Sequence, residues 1–155
     1  MERIYEEFCL ANTSLLDIIS SQQTAETADQ MLNITGVLSK LEGFKTRCKN
    51  LHWSAPNNDI HTRLDEFLSE IDSFEDKLAE GAMGILGKIG PNSVNGDICD
   101  VNNAFDLTDC VGTTICLFYQ SIPNTPCWKG VASECESFIQ EVNKFSYLFS
   151  LSGCK

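Results

Sequence analysis

Two histidines and a set of spaced carboxylates are the residues of this chain best suited to holding a metal ion. His52 and His61 are its only imidazoles, and they flank the polar turn Ser54-Ala55-Pro56-Asn57-Asn58-Asp59. After the turn come Asp65, Asp72, Asp76 and Glu80, so that the series from His61 has separations of 4, 7, 4 and 4 residues. At about 100° per residue of α-helix, this spacing gathers them on one stripe roughly 100° wide. Imidazole nitrogen together with carboxylate oxygen suits iron, manganese or zinc. The plainer alternative is an acidic helix face that only meets water.

Distance limits how these groups cooperate. His61 and Glu80 are 19 residues apart, about 28 Å along a helix, too far to share one ion within a chain. A two-fold dimer removes the difficulty. If two copies of this helix lie antiparallel about an axis near residues 69–71, His61 and Asp65 of one chain come beside Asp76 and Glu80 of the other. The turn would also hold His52 near His61. Asp72, close to such an axis, reads as a solvated or supporting acid. Cys48, one turn before His52, reads as a core cysteine rather than a ligand.

The elements that must position these residues are helical. Ala28, Met31, Leu32, Thr35, Leu38, Leu41, Lys45, Cys48 and Leu51 recur close to every 3.6 residues, which predicts a helix over 27–53 capped by Thr24 or Thr27. Pro56 disfavours helix at Ala55, and Asn58 or Asp59 can cap the next helix. Ile60, Leu64, Phe67, Leu68, Ile71, Phe74, Leu78, Ala82 and Ile85 predict this second helix, ended by Gly84, Gly87, Gly90 and Pro91. A polar connection over 90–100 leads to a third helix through Val101, Ala104, Phe105, Thr108, Val111, Ile115, Phe118 and Ile122, which stops at Pro123-Asn124-Thr125-Pro126. Val131, Cys135, Phe138, Ile139, Val142, Phe145, Leu148 and Phe149 predict a fourth, with Gly153 just past its end. An additional short N-terminal helix is expected over 3–20. Four long apolar faces are most simply buried in an all-α four-helix bundle, one domain over 1–155.

Composition agrees with a packed domain. Of 155 residues, 43% are hydrophobic and 21% charged, which is globular rather than disordered. The formal charge is 11 − 22 = −11, which argues against gripping nucleic acid, because phosphate binding needs clustered Lys and Arg. The eight cysteines contain no Cys-x-x-Cys pair, which removes the zinc-ribbon and thioredoxin readings. The N-terminus, MERIYEEFCL, lacks a basic segment followed by an apolar one, and no run is long enough to span a bilayer. A cytoplasmic protein is therefore expected, with most cysteines reduced and buried as small hydrophobes. A disulfide-stabilised secreted bundle is the competing expectation, and it requires an absence of free thiols.

Leu51-His52-Trp53, the Pro-Asn turn, Ile60-His61, Asp65-Glu66-Phe67 and Asp76-Lys77-Leu78-Ala79-Glu80 together resemble the Dps mini-ferritins. These are the ferritin-like proteins of DNA protection during starvation. Their pattern runs His-Trp, a Gly-Pro-Asn turn, Leu-His, an Asp one helical turn later, and Asp-x-x-Ala-Glu. Glu141-Val142-Asn143-Lys144-Phe145-Ser146-Tyr147-Leu148 is similar to the family's last helix. The chain departs from the pattern in its shorter turn without Gly, in Gly81-Ala82-Met83-Gly84 where the family has Arg after the Glu, and in a short 87–131 segment.

The resemblance implies a ferritin-like bundle in which His52, His61 and Asp65 of one subunit face Asp76 and Glu80 of its two-fold mate. It implies that these five residues bind iron and oxidise Fe²⁺ with hydrogen peroxide, or more slowly dioxygen, with zinc or manganese as alternative ions. Ferric iron would be stored in a homo-oligomeric shell, a dodecamer of two-fold dimers, whose acidic surface concentrates Fe²⁺. Trp53 beside the site would pack the dimer interface or intercept oxidising equivalents. A reading of a different class keeps the fold as a structural or assembly module, for example in a virus particle, with little or no iron chemistry. The short 87–131 segment and the cysteine count motivate it. Since Glu2, Glu6 and Glu7 surround Arg3, no gel shift with duplex DNA is expected at physiological salt, and a clear shift there would overturn this expectation.

Overall fold

The computed structural model describes the backbone of residues 2–153 and the side chains of residues 17–153. The described residues form an all-α fold of four helices: α1, Glu2–Trp53; α2, Asn58–Leu86; α3, Ala104–Ser121; and α4, Lys129–Leu151, the last preceded by a 3-10 turn, Pro126–Trp128. No strand occurs among them, and none of the helices is long and apolar enough to cross a membrane. The chain divides into two compact units, Met1–Leu32 and Asn33–Lys155.

α1 corrects the expectation of a separate short helix over 3–20. No Pro or Gly occurs before Gly36, so nothing in the backbone interrupts the helix. Thr24 and Thr27 do not act as caps. Their hydroxyls donate back to the carbonyls of Ser20 and Gln23, at 2.7 and 2.9 Å, inside an uninterrupted helix. In the first unit the described side chains from Asp17 to Asp29 are exposed, Ile18 and Ile19 among them. The residue spacing predicts an apolar face at Ile4, Phe8, Ala11, Leu15, Ile18 and Ile19; its last two positions are exposed, and the first four lie outside the described side chains.

In the second unit the α1 core face is Ile34, Val37, Leu38, Leu41, Phe44 and Cys48. This differs from the expected series, which took Lys45 in place of Phe44 and extended back to Ala28. Both spacings fit a helical stripe, and burial selects the one whose side chains are apolar throughout. α2 contributes Ile60, Leu64, Phe67, Ile71, Phe74 and Leu78, and α4 answers with Phe138, Val142, Phe145 and Phe149. Their rings meet directly. Phe74 stacks on Phe138 with centroids 4.1 Å apart, and Phe67 meets Phe145 at 5.0 Å. α3 packs on α4 through Leu107, Val111, Ile115 and Phe118.

Local chemistry sets the ends. Asn57, rather than Asn58 or Asp59, caps α2 by accepting from the Ile60 N–H at 2.9 Å. Asn103 caps α3 by accepting from the Asp106 N–H at 2.8 Å and donates its own amide to the Asp106 carboxylate. Gly87, at φ 91°, ends α2 in a conformation that other residues resist. Among the six described cysteines only two are buried, contrary to expectation. Cys48 and Cys135 are buried, Cys99 and Cys110 are half-buried, and Cys116 and Cys127 are exposed, all as free thiols. Cys110 and Cys116 sit off the α3 face that Leu107, Val111 and Ile115 turn inward. The side chains of Cys9 and Cys154 lie outside the described residues.

The connection over 87–103 is irregular yet anchored to α1. The Asp97 N–H donates to the Ser39 carbonyl at 2.9 Å, the Asn95 N–H to the Ser39 hydroxyl at 3.2 Å, and Arg47 Nε to the Cys99 carbonyl at 2.7 Å. A helical carbonyl points toward the residue four positions on, so the approach to Ser39 passes over Gly43. A Cβ at Gly43 would stand 2.0 Å from the Asp97 carbonyl oxygen. Gly43→Ala is therefore expected to lower stability by about 2 kcal/mol or more, by displacing this connection. Gly36→Ala, with open space around the new Cβ, is expected to raise it by about 0.5–1 kcal/mol. Urea unfolding of the two variants checks both signs.

Candidate metal centre

The site is assembled from the end of α1, a four-residue turn and one face of α2. His52 lies in the last turn of α1 and His61 in the first turn of α2. Their rings stack with centroids 3.8 Å apart and planes inclined by 29°. His61 Nδ1 lies 3.1 Å from the His52 carbonyl oxygen. A carbonyl only accepts, so Nδ1 carries the proton in this hydrogen bond and the neutral ring keeps its lone pair on Nε2. Metal-binding histidines characteristically hold one ring nitrogen on a carbonyl in this way and offer the other to the ion. The Ala55 N–H also donates to the His52 carbonyl, at 3.4 Å, which ties the turn to the pair.

The start of α2 is braced from two sides. Asp59 accepts from Arg63 Nε at 3.0 Å and from the Ser152 hydroxyl at 2.6 Å, linking this end of α2 to the residue just past the end of α4. These hydrogen bonds, Arg63 first, hold the Asp59 carboxyl below the usual carboxylate range.

Beyond the histidines, α1 and α2 border an open groove of about 570 Å³. Lys45, Lys49 and Trp53 line it from α1, with Asp65, Leu68 and Asp72 from α2. Trp53 is 70% exposed despite its size. His61, Asp65, Asp72, Asp76 and Glu80 are all solvent-exposed, while His52 is half-buried. Asp76 and Glu80 do not join the histidines within the chain. Fifteen residues of helix separate His61 from Asp76, about 22 Å. Among the described residues, no three His, Cys, Asp or Glu side chains come close enough to hold an ion. Of the five candidates, one protomer brings His52 and His61 together, while Asp65 lies one helical turn along α2 without completing a three-ligand group, and Asp76 with Glu80 lies farther along the helix.

Asp72 has a different role from its neighbours on the stripe. Its carboxylate accepts from Lys45 Nζ at 3.0 Å, and the same ammonium binds Glu42 at 3.0 Å and the buried Glu75. Burial lowers the proton affinity of Lys45, but hydrogen bonds to the three carboxylates more than offset it, and the ammonium is held above the ordinary lysine range. Glu75 moves the other way from an ordinary ion-paired acid. Burial raises its pKa, Lys45 lowers it, and the charges of Glu42 and Asp72 raise it again, leaving the carboxyl above its usual range.

Helical spacing by itself assigned none of this to Lys45 or Glu75. The available signals were a lysine within an apolar helical series and a glutamate next to Phe74 on the core side of α2. Cys48 is a core cysteine: it is buried, its thiol donates to the Leu64 carbonyl at 3.3 Å, and burial followed by the Asp65 charge pushes its pKa up to about 12.

Lys45→Met would leave Glu75 beside two like charges with no cation. A stability loss of about 2 kcal/mol is expected at neutral pH, between the values for exposed and fully buried pairs. The folded-state pKa of Glu75, already above its unfolded value, would rise further. The folded protein would then bind that proton more tightly than the unfolded chain, so stability is retained at acid pH and lost as pH rises through the folded value. Urea unfolding of wild type and variant at about pH 5 and pH 7 tests this, and an equal loss at both would contradict it. Compared with protein-family models, with curated proteins and with solved structures, the chain gives no match.

Proposed function

We propose that this chain is a Dps-like mini-ferritin subunit with a ferritin-like bundle. In this reading Fe²⁺, as substrate, is oxidised between two-fold-related protomers by hydrogen peroxide, or more slowly by dioxygen, and the ferric product is stored in an oligomeric shell. The observation that supports it is the histidine pair: His61 is oriented by the His52 carbonyl so that Nε2 is available to a metal, with the His52 ring stacked beside it. The sequence motif contributes the remaining ligands. His52 and His61 supply neutral nitrogen, Asp65 and Asp76 supply hard anionic oxygen, and Glu80 can bridge two ions.

The separation of Asp76 and Glu80 from the histidines, on a single exposed face, is what a site shared between two antiparallel α2 helices requires. The groove beside Trp53 offers that face room for a mate. Zinc or manganese would fit the same donor types. A dodecamer of two-fold dimers, working in the cytoplasm, completes the proposal.

Ferrous iron mixed with the protein and hydrogen peroxide is expected to give ferric absorbance faster than buffer. His61→Ala and Asp76→Ala are each expected to lower the initial rate roughly tenfold or more. Because each site takes ligands from both protomers, reassembling the two variants together restores one intact site in every mixed dimer. Random pairing then returns about a quarter of the wild-type rate. Wild-type oxidation no faster than buffer, unchanged in the variants, would turn the assignment to a structural module.

A further inference from the structure

We propose that Cys99 and Cys110 form a dithiol pair that a peroxide converts to an intramolecular disulfide, a modification site joining the 87–103 connection to α3. The two residues line one cleft of about 480 Å³, together with Lys40 and Phe44 of α1 and Ile98 of the connection. Both are free, half-buried and packed against the hydrophobic core. The remaining described cysteines differ in burial: Cys48 and Cys135 are buried, and Cys116 and Cys127 are exposed.

The two thiols are carried by separately anchored backbones. Arg47 Nε donates to the Cys99 carbonyl at 2.7 Å, and Asp97, two residues earlier, is tied to Ser39. Cys110 is fixed in the second turn of α3, where the helix ladder holds it. Burial, the neighbouring Cys110 and the Asp100 charge outweigh the Arg47 guanidinium and the Val101 N–H, so the Cys99 thiol is held above its ordinary range. Cys110 has burial and the charges of Asp109 and Asp106 against ionisation. Of the two, only Cys99 has a cation and a backbone N–H among the groups acting on it, which makes it the sulfur to attack first.

In the first step the Cys99 thiolate attacks one peroxide oxygen. The O–O bond breaks, Cys99 becomes a sulfenic acid, and the departing hydroxide takes up the proton lost from the thiol to leave as water. The Cys110 sulfur then attacks the Cys99 sulfur, the S–O bond breaks, and the hydroxide leaves as water with the Cys110 proton. The two thiols together lose two electrons and two protons, and one peroxide becomes two waters. The bond would close a short loop from the connection into α3 and fasten one wall of the cleft to the other. Nothing in this step depends on iron or on the α1–α2 groove.

Treating the full-length protein with an equimolar amount of hydrogen peroxide, alkylating remaining thiols after denaturation and mapping the unreduced peptides tests the proposal. The expected result is a linked peptide containing Cys99 and Cys110, lighter by two hydrogens than its separate parts and lost on reduction. A rise in thermal midpoint on oxidation should accompany it and be absent in Cys99→Ser and Cys110→Ser. Mapping of the natural chain stands even if a variant folds poorly. Alkylation of both thiols undiminished by peroxide, or Cys99 linked to another cysteine instead, would overturn the proposal.

Discussion

The arrangement depends on the brevity of the turn between α1 and α2. α1 ends at Trp53 and α2 begins at Asn58, so the chain must reverse within four residues. Pro56 cannot donate a backbone hydrogen bond and keeps Ala55 out of the helical region, while Asn57 supplies the acceptor that starts the next helix. The two helices then run antiparallel from this point, and their cross-helix partners separate step by step: His52 with His61, Cys48 with Leu64, and Lys45 with Asp72 and Glu75. A change in the length of the turn would shift all of these pairs together. The histidine stack and the grooved face are two consequences of the same register.

That register also distributes the chain's acidity. Lys45 draws three carboxylates, from Glu42 of its own helix and from Asp72 and Glu75 of the neighbour, into the seam between α1 and α2. Without a cation there, an acidic pair of helices would repel along its contact line. The other acids of the His61–Glu80 stripe, Asp65, Asp76 and Glu80, stay in water, where their charge is inexpensive. A spacing that looks uniform in the sequence thus separates into Asp72, engaged by Lys45 at the seam, and three acids that face solvent.

On the opposite side, the 87–103 connection has almost no secondary structure of its own and takes its order from α1. Ser39 and Arg47 satisfy three of its polar groups, and Gly43 lets the backbones approach. This is why a segment that reads as a plain polar linker can hold a half-buried thiol against the core. Its anchoring is a property of the helix it crosses, and a linker's own composition carries no trace of that.

Periodicity made the four helices legible from the residues, because each must hide a stripe at 3.6-residue intervals, and Gly87 and the polar turns marked ends that the structure bears out within a residue or a few. The α2 stripe of His61, Asp65, Asp72, Asp76 and Glu80 was equally legible, since helical geometry alone puts those residues on one face. Periodicity could not show that α1 runs unbroken through Thr24 and Thr27, where hydroxyls have two backbone options of similar energy. Nor could it choose Phe44 over Lys45 for the core or foresee the buried Glu75, because adjacent stripes of one helix differ only in what packs against them. Which residues share a helix face follows from the fixed rotation per residue and is therefore written in the order of the residues. That the His52 carbonyl orients the His61 ring and that Lys45 claims Asp72 depends on the packing of α1 against α2, because those contacts arise where separate helices meet.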